Sequence, residues 1–341
     1  MSKQIGIPQR LLLVGASAAF VLTWSSGFII AKVGTDTAPA LTVLAWRYLV
    51  VAAILLGGML VLRFRARRFR ARPVFLAWRD IRPHLTIGLF AQFGYILPIY
   101  LAVGAGVSAG TTALIDAIQP LVVATLVGPL LGLKVRAVQW LGLVLGAVGV
   151  VLIVTADASA SMSPTPAYLL PLVSLASLVT ATFLERRTIA RLSVFATLAT
   201  HAAITLVAVT VLAALTGSLT PPATTGFWVS TLLIAVFPTL IAYALYWYLL
   251  RRLGITALNA LLYLVAPATA VAGSILFADP FTPLTLAGLL LGAGAIALVI
   301  APGRRAPRSA PRAPERKVGD FRETPAALPE NTASREKLRL Y

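Results

Sequence analysis

The sequence predicts an all-α integral membrane protein with ten transmembrane helices, arranged as two inverted five-helix repeats. Three observations support this fold class: an apolar composition, ten apolar runs along the chain, and basic residues on alternate loops. Of the 341 residues, 59% are hydrophobic and only 12% are charged, and the mean hydropathy is +0.89. A soluble domain carries about 25% charged residues, so this chain is too apolar for a fully water-facing surface.

Ten apolar runs are long enough to cross the hydrocarbon core of a bilayer, which takes about 20 residues per helix. The first five form one repeat, residues 11–155, and the second five form another, residues 167–301. The predicted spans are Leu11–Val33, Pro39–Leu62, Leu85–Gly104, Ser108–Gly132, Val138–Thr155, Ala167–Leu184, Leu192–Leu215, Gly226–Leu250, Ile255–Phe277 and Leu284–Ala301.

Basic residues occur on alternate loops, and Lys32 and Arg47 are the two exceptions among the 29 Lys and Arg residues. The others lie in residues 1–10, in the loops after spans two, four, six and eight, and in the tail, residues 302–341. The intervening loops carry acidic residues instead: Asp36, Asp157 and Asp279. By the positive-inside rule both termini are cytoplasmic. The net charge of +18 therefore indicates cytoplasmic loops facing membrane lipids, and no nucleic-acid partner is predicted.

The tail mixes Pro, Ala, Arg and Glu without apolar periodicity. Such a segment cannot bury enough apolar surface to fold alone. We therefore expect residues 302–341 to form a disordered basic cytoplasmic tail.

One sequence segment occurs twice. GYILPIYLAVGAGVSA, Gly94–Ala109, nearly recurs 148 positions later as AYALYWYLLRRLGITA, Ala242–Ala257. The first copy joins spans three and four, and the second joins spans eight and nine. Because each half has an odd number of spans, the second half enters the membrane from the opposite side. Arginines occur only in the copy whose turn faces the cytoplasm, as this topology requires. Inverted repeats of this kind typically hold a substrate near the bilayer midplane.

Two residues of opposite charge lie inside the predicted spans. Arg47 lies about eight residues into span two and Asp116 about eight residues into span four, so each is roughly 12 Å from the outer end of its helix. Charges inside a bilayer are costly and mark functional sites by default. Equal depth predicts either two poles of a site for a zwitterionic amino acid, or a structural salt bridge. Asp116 is also a candidate proton carrier.

A histidine and several aromatic and amide side chains complete the candidate site. His201 in span seven is a second proton-coupling candidate, because histidine titrates near neutral pH; the alternative is a packing role. Aromatic residues of spans one, three and eight are candidates to line the cavity. The predicted substrate-binding residues are Trp24, Arg47, Gln92, Tyr95, Asp116, Gln119, Tyr243 and Tyr246. Prolines interrupt the four spans that contain the repeated segment: Pro98, Pro120, Pro238 and Pro267.

Glycine pairs in spans five and ten allow close helix contact. They occur as Gly142-x-x-x-Gly146 and Gly288-x-x-x-Gly292, within the related segments GLVLGA and GLLLGA. The pattern predicts helix packing within the chain, with a homodimer as the alternative. The chain has no Cys, two His and no phosphate-binding loop, so neither a cofactor nor a metal site is expected.

Several stretches resemble EamA-type proteins of the drug/metabolite transporter superfamily. They are FVLTWSSGFIIAKVG and PALTVLAWRYLVVAAILL in spans one and two, QPLVVATLVGPLLG and QWLGLVLGAVGVVLIV at the end of the first repeat, and APATAVAGSILFADPF in the second. The resemblance covers the chain from Leu11 to Ala301. One position departs from it: the family often has a glutamate just after span four, where this chain has Leu133, and the equivalent second-half position is Asp279.

The resemblance and the inverted repeat together predict a secondary transporter of the inner membrane. The resemblance implies export of a small metabolite such as an amino acid, and the repeat implies alternating access. Multidrug or cationic-compound efflux is one alternative. An intramembrane lipid-modifying enzyme is another, for which the charged groups at one interface are His84, Asp80 and Glu185, in no recognisable catalytic spacing.

Overall fold

The computed structural model describes residues 7–68, 78–132, 137–188 and 192–300, and within these ranges the fold is helical, as predicted. Residues 1–6, most of the basic loop after span two and the predicted tail lie outside the described residues. The helices are α1 Ile7–Thr37, α2 Ala40–Arg68, α3 Trp78–Gly88, α4 Gly94–Gly104, α5 Ala109–Ala117, α6 Gln119–Leu131, α7 Ala137–Ala160, α8 Leu169–Arg187, α9 Val194–Leu215, α10 Thr225–Ile234, α11 Ala242–Phe277 and α12 Pro283–Ile300.

Nine helical segments of the described chain are long and apolar enough to cross a membrane, and a shorter apolar helix, Pro283–Leu298, follows them. Each of the ten predicted runs overlaps one of these segments, which confirms a multi-pass membrane protein. Span three starts at Trp78 rather than Leu85, so Asp80 and His84 lie in a helix and not in a loop. The predicted start was too late because Arg79, Asp80 and Arg82 make the first turns of α3 polar.

The contacts between spans obey the predicted two-fold relation between the halves. Spans two and seven pack together, as do spans four and nine, and spans five and ten. Span one packs against spans eight and nine, and span six packs correspondingly against spans three and four. Exchanging each span of one repeat for the corresponding span of the other, five numbers away, gives the same set of contacts. Two inverted five-helix repeats require this symmetry.

The repeated segment has the same backbone features in both copies. Each copy begins directly after a π-helical segment, Leu89–Phe93 in span three and Ala235–Ile241 in span eight. Each also contains a glycine in the left-handed region, Gly106 with φ 98° and Gly254 with φ 79°. A side chain is disfavoured at such φ values, so both halves use glycine to turn the chain back into the membrane.

Glycines bring spans five and ten into close contact within the chain. A Cβ atom on Gly149 would lie 2.8 Å from the carbonyl oxygen of Gly288, and one on Gly288 would lie 2.6 Å from the carbonyl of Gly149. A Cβ on Gly146 would lie 2.7 Å from Leu121 Cδ1. These glycines therefore pack helices inside one molecule, and a homodimer stays a prediction.

The two ends of the bundle differ in charge. The end at which α8 finishes with Arg186 and Arg187 is called the basic end below, and the opposite end, with Asp36, Asp157 and Asp279, the acidic end. At the acidic end the Asp157 Oδ2 atom accepts hydrogen bonds from the Ser108 N–H at 3.1 Å and from the Tyr168 hydroxyl at 3.2 Å. These bonds connect the start of span four to spans five and six.

Candidate functional site

Two adjoining cavities lie between the repeats, and the predicted site residues line them. The smaller has a volume of about 60 Å³ and the larger about 230 Å³. Arg47 and Gln92 line the smaller cavity, while the side chains that line the larger are Asp116, Gln119, His201 and Tyr246. The residues that line both are Trp24, Tyr95 and Tyr243. One wall of aromatic side chains therefore separates the arginine from the aspartate.

Arg47 is buried in the smaller cavity with neutral partners. Its side chain donates from Nε and Nη2 to the Thr239 hydroxyl, at 3.2 and 2.8 Å, and from Nη1 to the Tyr100 hydroxyl at 2.8 Å. The guanidinium carbon lies 5.3 Å from the ring centroid of Tyr48. A guanidinium has five N–H donors, so these three bonds leave two N–H groups for a ligand. The residue is only 5% exposed.

Asp116 lies at an interruption of span four and presents a free oxygen. Pro120 lacks the N–H that would bond to the Asp116 carbonyl, and the Ile118 N–H bonds to that carbonyl instead. The Tyr95 hydroxyl donates to Oδ2 at 3.0 Å. The Oδ1 atom is buried, and no described residue donates a hydrogen bond to it. An unsatisfied buried oxygen is costly, and Asp116 lines the larger cavity.

Of the two interpretations of Arg47 and Asp116, the structural salt bridge is not found between their described side chains. Arg47 bonds to hydroxyl groups of Tyr100 and Thr239, and Asp116 bonds to Tyr95, with no ion pair between the two among the described side chains. Equal depth in the membrane does not fix the direction in which a helix presents a side chain. The other interpretation, two poles of one site, stays a prediction.

The aromatic wall is built from spans one and eight, with Tyr95 of span three beside it. The Trp24 and Tyr243 rings stack with centroids 5.9 Å apart and 24° between their planes, and the Tyr246 ring lies 6.1 Å from Trp24. A Cβ on Gly27 would lie 3.1 Å from Pro238 Cβ. The absence of a side chain at Gly27 thus lets span one approach the π segment of span eight closely.

His201 lies on the opposite side of the aromatic wall from Arg47. Its ring centroid is 6.0 Å from that of His84, and its buried Nε2 atom has no hydrogen-bond partner among the described residues. A Cβ on Gly88 would lie 2.8 Å from His201 Cδ2, so spans three and seven are in direct contact here. Glu185 also lines the larger cavity. The structure places His201 and Arg47 in different cavities.

The two predicted amide residues lie at the interruptions of their helices. Gln92 lies in the first π segment and is 5% exposed. Gln119 follows the break in span four, and its Nε2 atom donates to the Thr182 hydroxyl at 3.0 Å. Both side chains thus place polar atoms on walls that are otherwise largely apolar.

The larger cavity extends toward the basic end of the bundle. Its lining includes Glu185, two residues before the last residue of α8, and Val194, the first residue of α9. The acidic end is closed by hydrogen bonds: Thr42 Oγ1 donates to the Ser218 carbonyl at 2.7 Å, and Trp46 Nε1 to the Leu219 carbonyl at 3.0 Å. The larger cavity therefore extends toward the basic end, while these contacts join the two repeats at the acidic end.

Sequence reasoning missed Thr239 and Tyr48, two of the residues that contact Arg47. Thr239 lies in the second π segment, and its hydroxyl donates to the Ile234 carbonyl, five residues earlier, at 3.0 Å. This bond leaves the hydroxyl oxygen free to accept from Arg47. Tyr48 lines the same cavity. The one available signal was Pro238, because a proline inside a helix indicates a local change of hydrogen bonding.

Comparison with known proteins places both halves of the chain in one family. The profile of the EamA-like transporter family matches residues 11–155 and again residues 165–301. A solved crystal structure, described only as that of a protein, has a TM-score of 0.58 at 17% identity, over 87% of this chain and 100% of the other. At that identity the likeness shows the fold alone.

Curated relatives match part of the chain. The uncharacterized inner membrane transporter YedA of Escherichia coli strain K12 is 29% identical over 154 residues, 42% of this chain and 44% of YedA. The YedA proteins of Escherichia coli O6:H1 and O157:H7 give the same figures. The matched segment thus spans less than half the length of these relatives. Because the family profile covers both repeats, the chain belongs to the EamA-like transporter family.

Proposed function

We propose that this protein is a secondary transporter of the inner membrane that exports a small zwitterionic metabolite, such as an amino acid, by alternating access. The observation that carries the proposal is a buried arginine and a half-buried aspartate, which line adjoining cavities and do not form an ion pair with each other. Family membership and the printed name of the YedA relatives support transport and the inner membrane.

The environment of Arg47 supports a ligand with a carboxylate. Removing a charge from water costs several kcal/mol even after relaxation, and hydroxyl groups compensate less well than an anion does. A carboxylate accepts two parallel N–H bonds from a guanidinium, and two N–H groups of Arg47 are left free. A ligand carboxylate would therefore complete a site that the described residues leave without an anion.

The environment of Asp116 supports an ammonium group at the other end of the ligand. Asp116 lines the larger cavity together with Trp24, Tyr243 and Tyr246, and its buried Oδ1 atom has no hydrogen-bond partner among the described residues. Aromatic faces attract cations, by about 0.5–2 kcal/mol each. The same arrangement also favours efflux of a cationic compound, which would use the Asp116 side alone and leave Arg47 without a role.

The asymmetry between the two ends of the bundle supports alternating access. The larger cavity reaches the basic end, and the acidic end is closed by contacts between the two halves. In an inverted repeat the halves can exchange conformations, which closes the first entrance and opens the second. Export follows if the basic end is cytoplasmic, because the substrate then enters from inside the cell.

Counterflow in proteoliposomes tests the proposed function. We expect labelled substrate to accumulate, chemically unchanged, in vesicles preloaded with one of a panel of unlabelled amino acids. Preloading with decarboxylated amines is the matched control: equal or stronger counterflow with the amines would support cation efflux instead. A labelled product with altered chemistry would indicate an enzyme, and no counterflow with any member of the panel would contradict the proposal.

The proposed orientation predicts which cysteines are labelled from outside the cell. The chain contains no cysteine, so each introduced one is unique. We expect Ala158→Cys, at the exposed acidic end of α7, to react with a membrane-impermeant maleimide on whole cells. Ala71→Cys, outside the described residues, should react only after the cells are lysed. The reverse pattern would invert the topology and turn the proposed exporter into an importer.

A further inference from the structure

We propose that Lys32 and Asp279 form a latch that holds the acidic end of the bundle closed. Lys32 lies near the end of α1 in the first half, and Asp279 lies in the turn between α11 and α12 in the second half. Their side chains form a short ion pair and are 17% and 10% exposed, respectively. It is the one ion pair found among the side chains that the structure describes, and it joins the two repeats.

The backbone conformation of the turn after α11 directs the Asp279 side chain toward Lys32. Ala278 adopts φ 55°, a left-handed conformation that is strained for any residue with a side chain. The Asp279 N–H bonds back to the Gly273 carbonyl at 3.3 Å. A Cβ atom on Gly273 would lie 2.6 Å from Asp279 Oδ2, so the carboxylate occupies space that only glycine leaves free. Strain of this kind persists where the surrounding structure enforces it.

The Lys32 side of the pair is also fixed. The Lys32 ammonium lies 4.8 Å from the ring centroid of Phe277, the last residue of α11. Lys32 thus contacts the end of span nine twice, through this ring and through Asp279. Any movement that separates the end of span one from the end of span nine must break both contacts.

The position of the pair relative to the cavities suggests the latch. The larger cavity is reached from the basic end, so release at the acidic end, which rests on the proposed function, requires the repeats to separate there. Both charges become hydrated when the acidic end opens. The ion pair therefore shifts the equilibrium between the closed and open conformations toward the closed one without preventing opening. A pair of this exposure contributes about 1 kcal/mol, or about fivefold in the population of the open conformation.

Accessibility of a buried cysteine tests the latch without any substrate. Ile99 lines the smaller cavity and is 3% exposed. On whole cells an impermeant maleimide reaches only the proposed outer side, the acidic end, so an Ile99→Cys reporter reacts only when that end opens. We expect Asp279→Asn and Lys32→Gln each to raise the labelling rate about fivefold. The charge-reversed pair, Lys32→Asp with Asp279→Lys, should bring the rate back toward that of the parent.

Two glycine variants provide a matched comparison that leaves both charges in place. Gly273→Ala should displace the Asp279 carboxylate and raise labelling, as Asp279→Asn does. Gly294→Ala, where an added Cβ meets open space, should not change it. If the rate stays at the parent value in every variant, the ion pair is a brace within one rigid unit and the proposal fails. Counterflow by the same variants is a separate measurement, so a failed latch leaves the proposed transport function standing, and the reverse also holds.

Discussion

Asp116→Asn is expected to reduce transport about 10- to 100-fold while the protein still folds and inserts. This range corresponds to the loss of one charge-assisted hydrogen bond, worth about 1.5–3 kcal/mol. The Tyr95 hydroxyl can still donate to the asparagine oxygen, so the wall of the cavity keeps its shape. What is lost is the anionic Oδ1 acceptor, which has no other partner among the described residues.

Because the described side chains of Arg47 and Asp116 form no salt bridge, the double variant at these two positions has a specific expected result. If Asp116 only neutralised Arg47, the single variant would leave an unpaired charge and be unstable, and Arg47→Gln with Asp116→Asn would restore both stability and activity. The two side chains have separate partners, so we expect the double variant to be stable and inactive. Thermal unfolding in detergent and counterflow, measured on the same preparations, distinguish these results.

The control is a carboxylate at the acidic end of the bundle. Asp36 is exposed, so Asp36→Asn removes the same charge without touching either cavity and should transport normally. Full transport by Asp116→Asn, with the same dependence on pH as the parent, would contradict a role for Asp116 both as a binding group and as a proton carrier.

The fold was predictable because its determinants are periodic or repeated. The length of the apolar runs defines the spans, and basic residues occur on alternate loops between them. The segment repeated at Gly94 and Ala242 indicated that the two halves are inverted. The structure confirms its physical basis, since Gly106 and Gly254 both adopt positive φ values. None of these inferences needed the direction in which any single side chain points.

The site was only partly predictable because its geometry depends on rotation about each helix axis. Residue type and depth identified the side chains that line the two cavities. They did not show that Arg47 turns toward Thr239 and away from Asp116, because two residues at equal depth can face different neighbours. The π segments shift the direction of each following side chain, and their i to i+5 hydrogen bonds leave no periodic mark in the sequence.

Arg47→Gln is expected to weaken binding of a zwitterionic substrate about 10- to 100-fold, because a charge-assisted hydrogen bond is worth about 1.5–3 kcal/mol. The effect should depend on the ligand. The carboxamide of the same amino acid, which lacks the negative charge, should bind the parent and the variant with similar affinity. Competition of each compound with labelled substrate gives the four affinities of this cycle. An equal loss for the acid and the amide would show that Arg47 holds the cavity in shape and does not bind a carboxylate.

Arg47→Lys separates the charge from the fork of N–H donors. Lysine keeps the positive charge, but it cannot bond to Thr239 and Tyr100 and still offer two parallel N–H groups to a ligand. We therefore expect this variant to recover little of the lost affinity, whereas Tyr100→Phe, which removes one of the three bonds that hold Arg47, should cost only a few-fold. Neither change should lower the unfolding temperature much, because Arg47 has no acidic partner among the described residues that its loss would leave unpaired. Recovery of full affinity by lysine would mean that the site needs only a positive charge at this depth, and the proposed recognition of a carboxylate by paired N–H groups would be wrong.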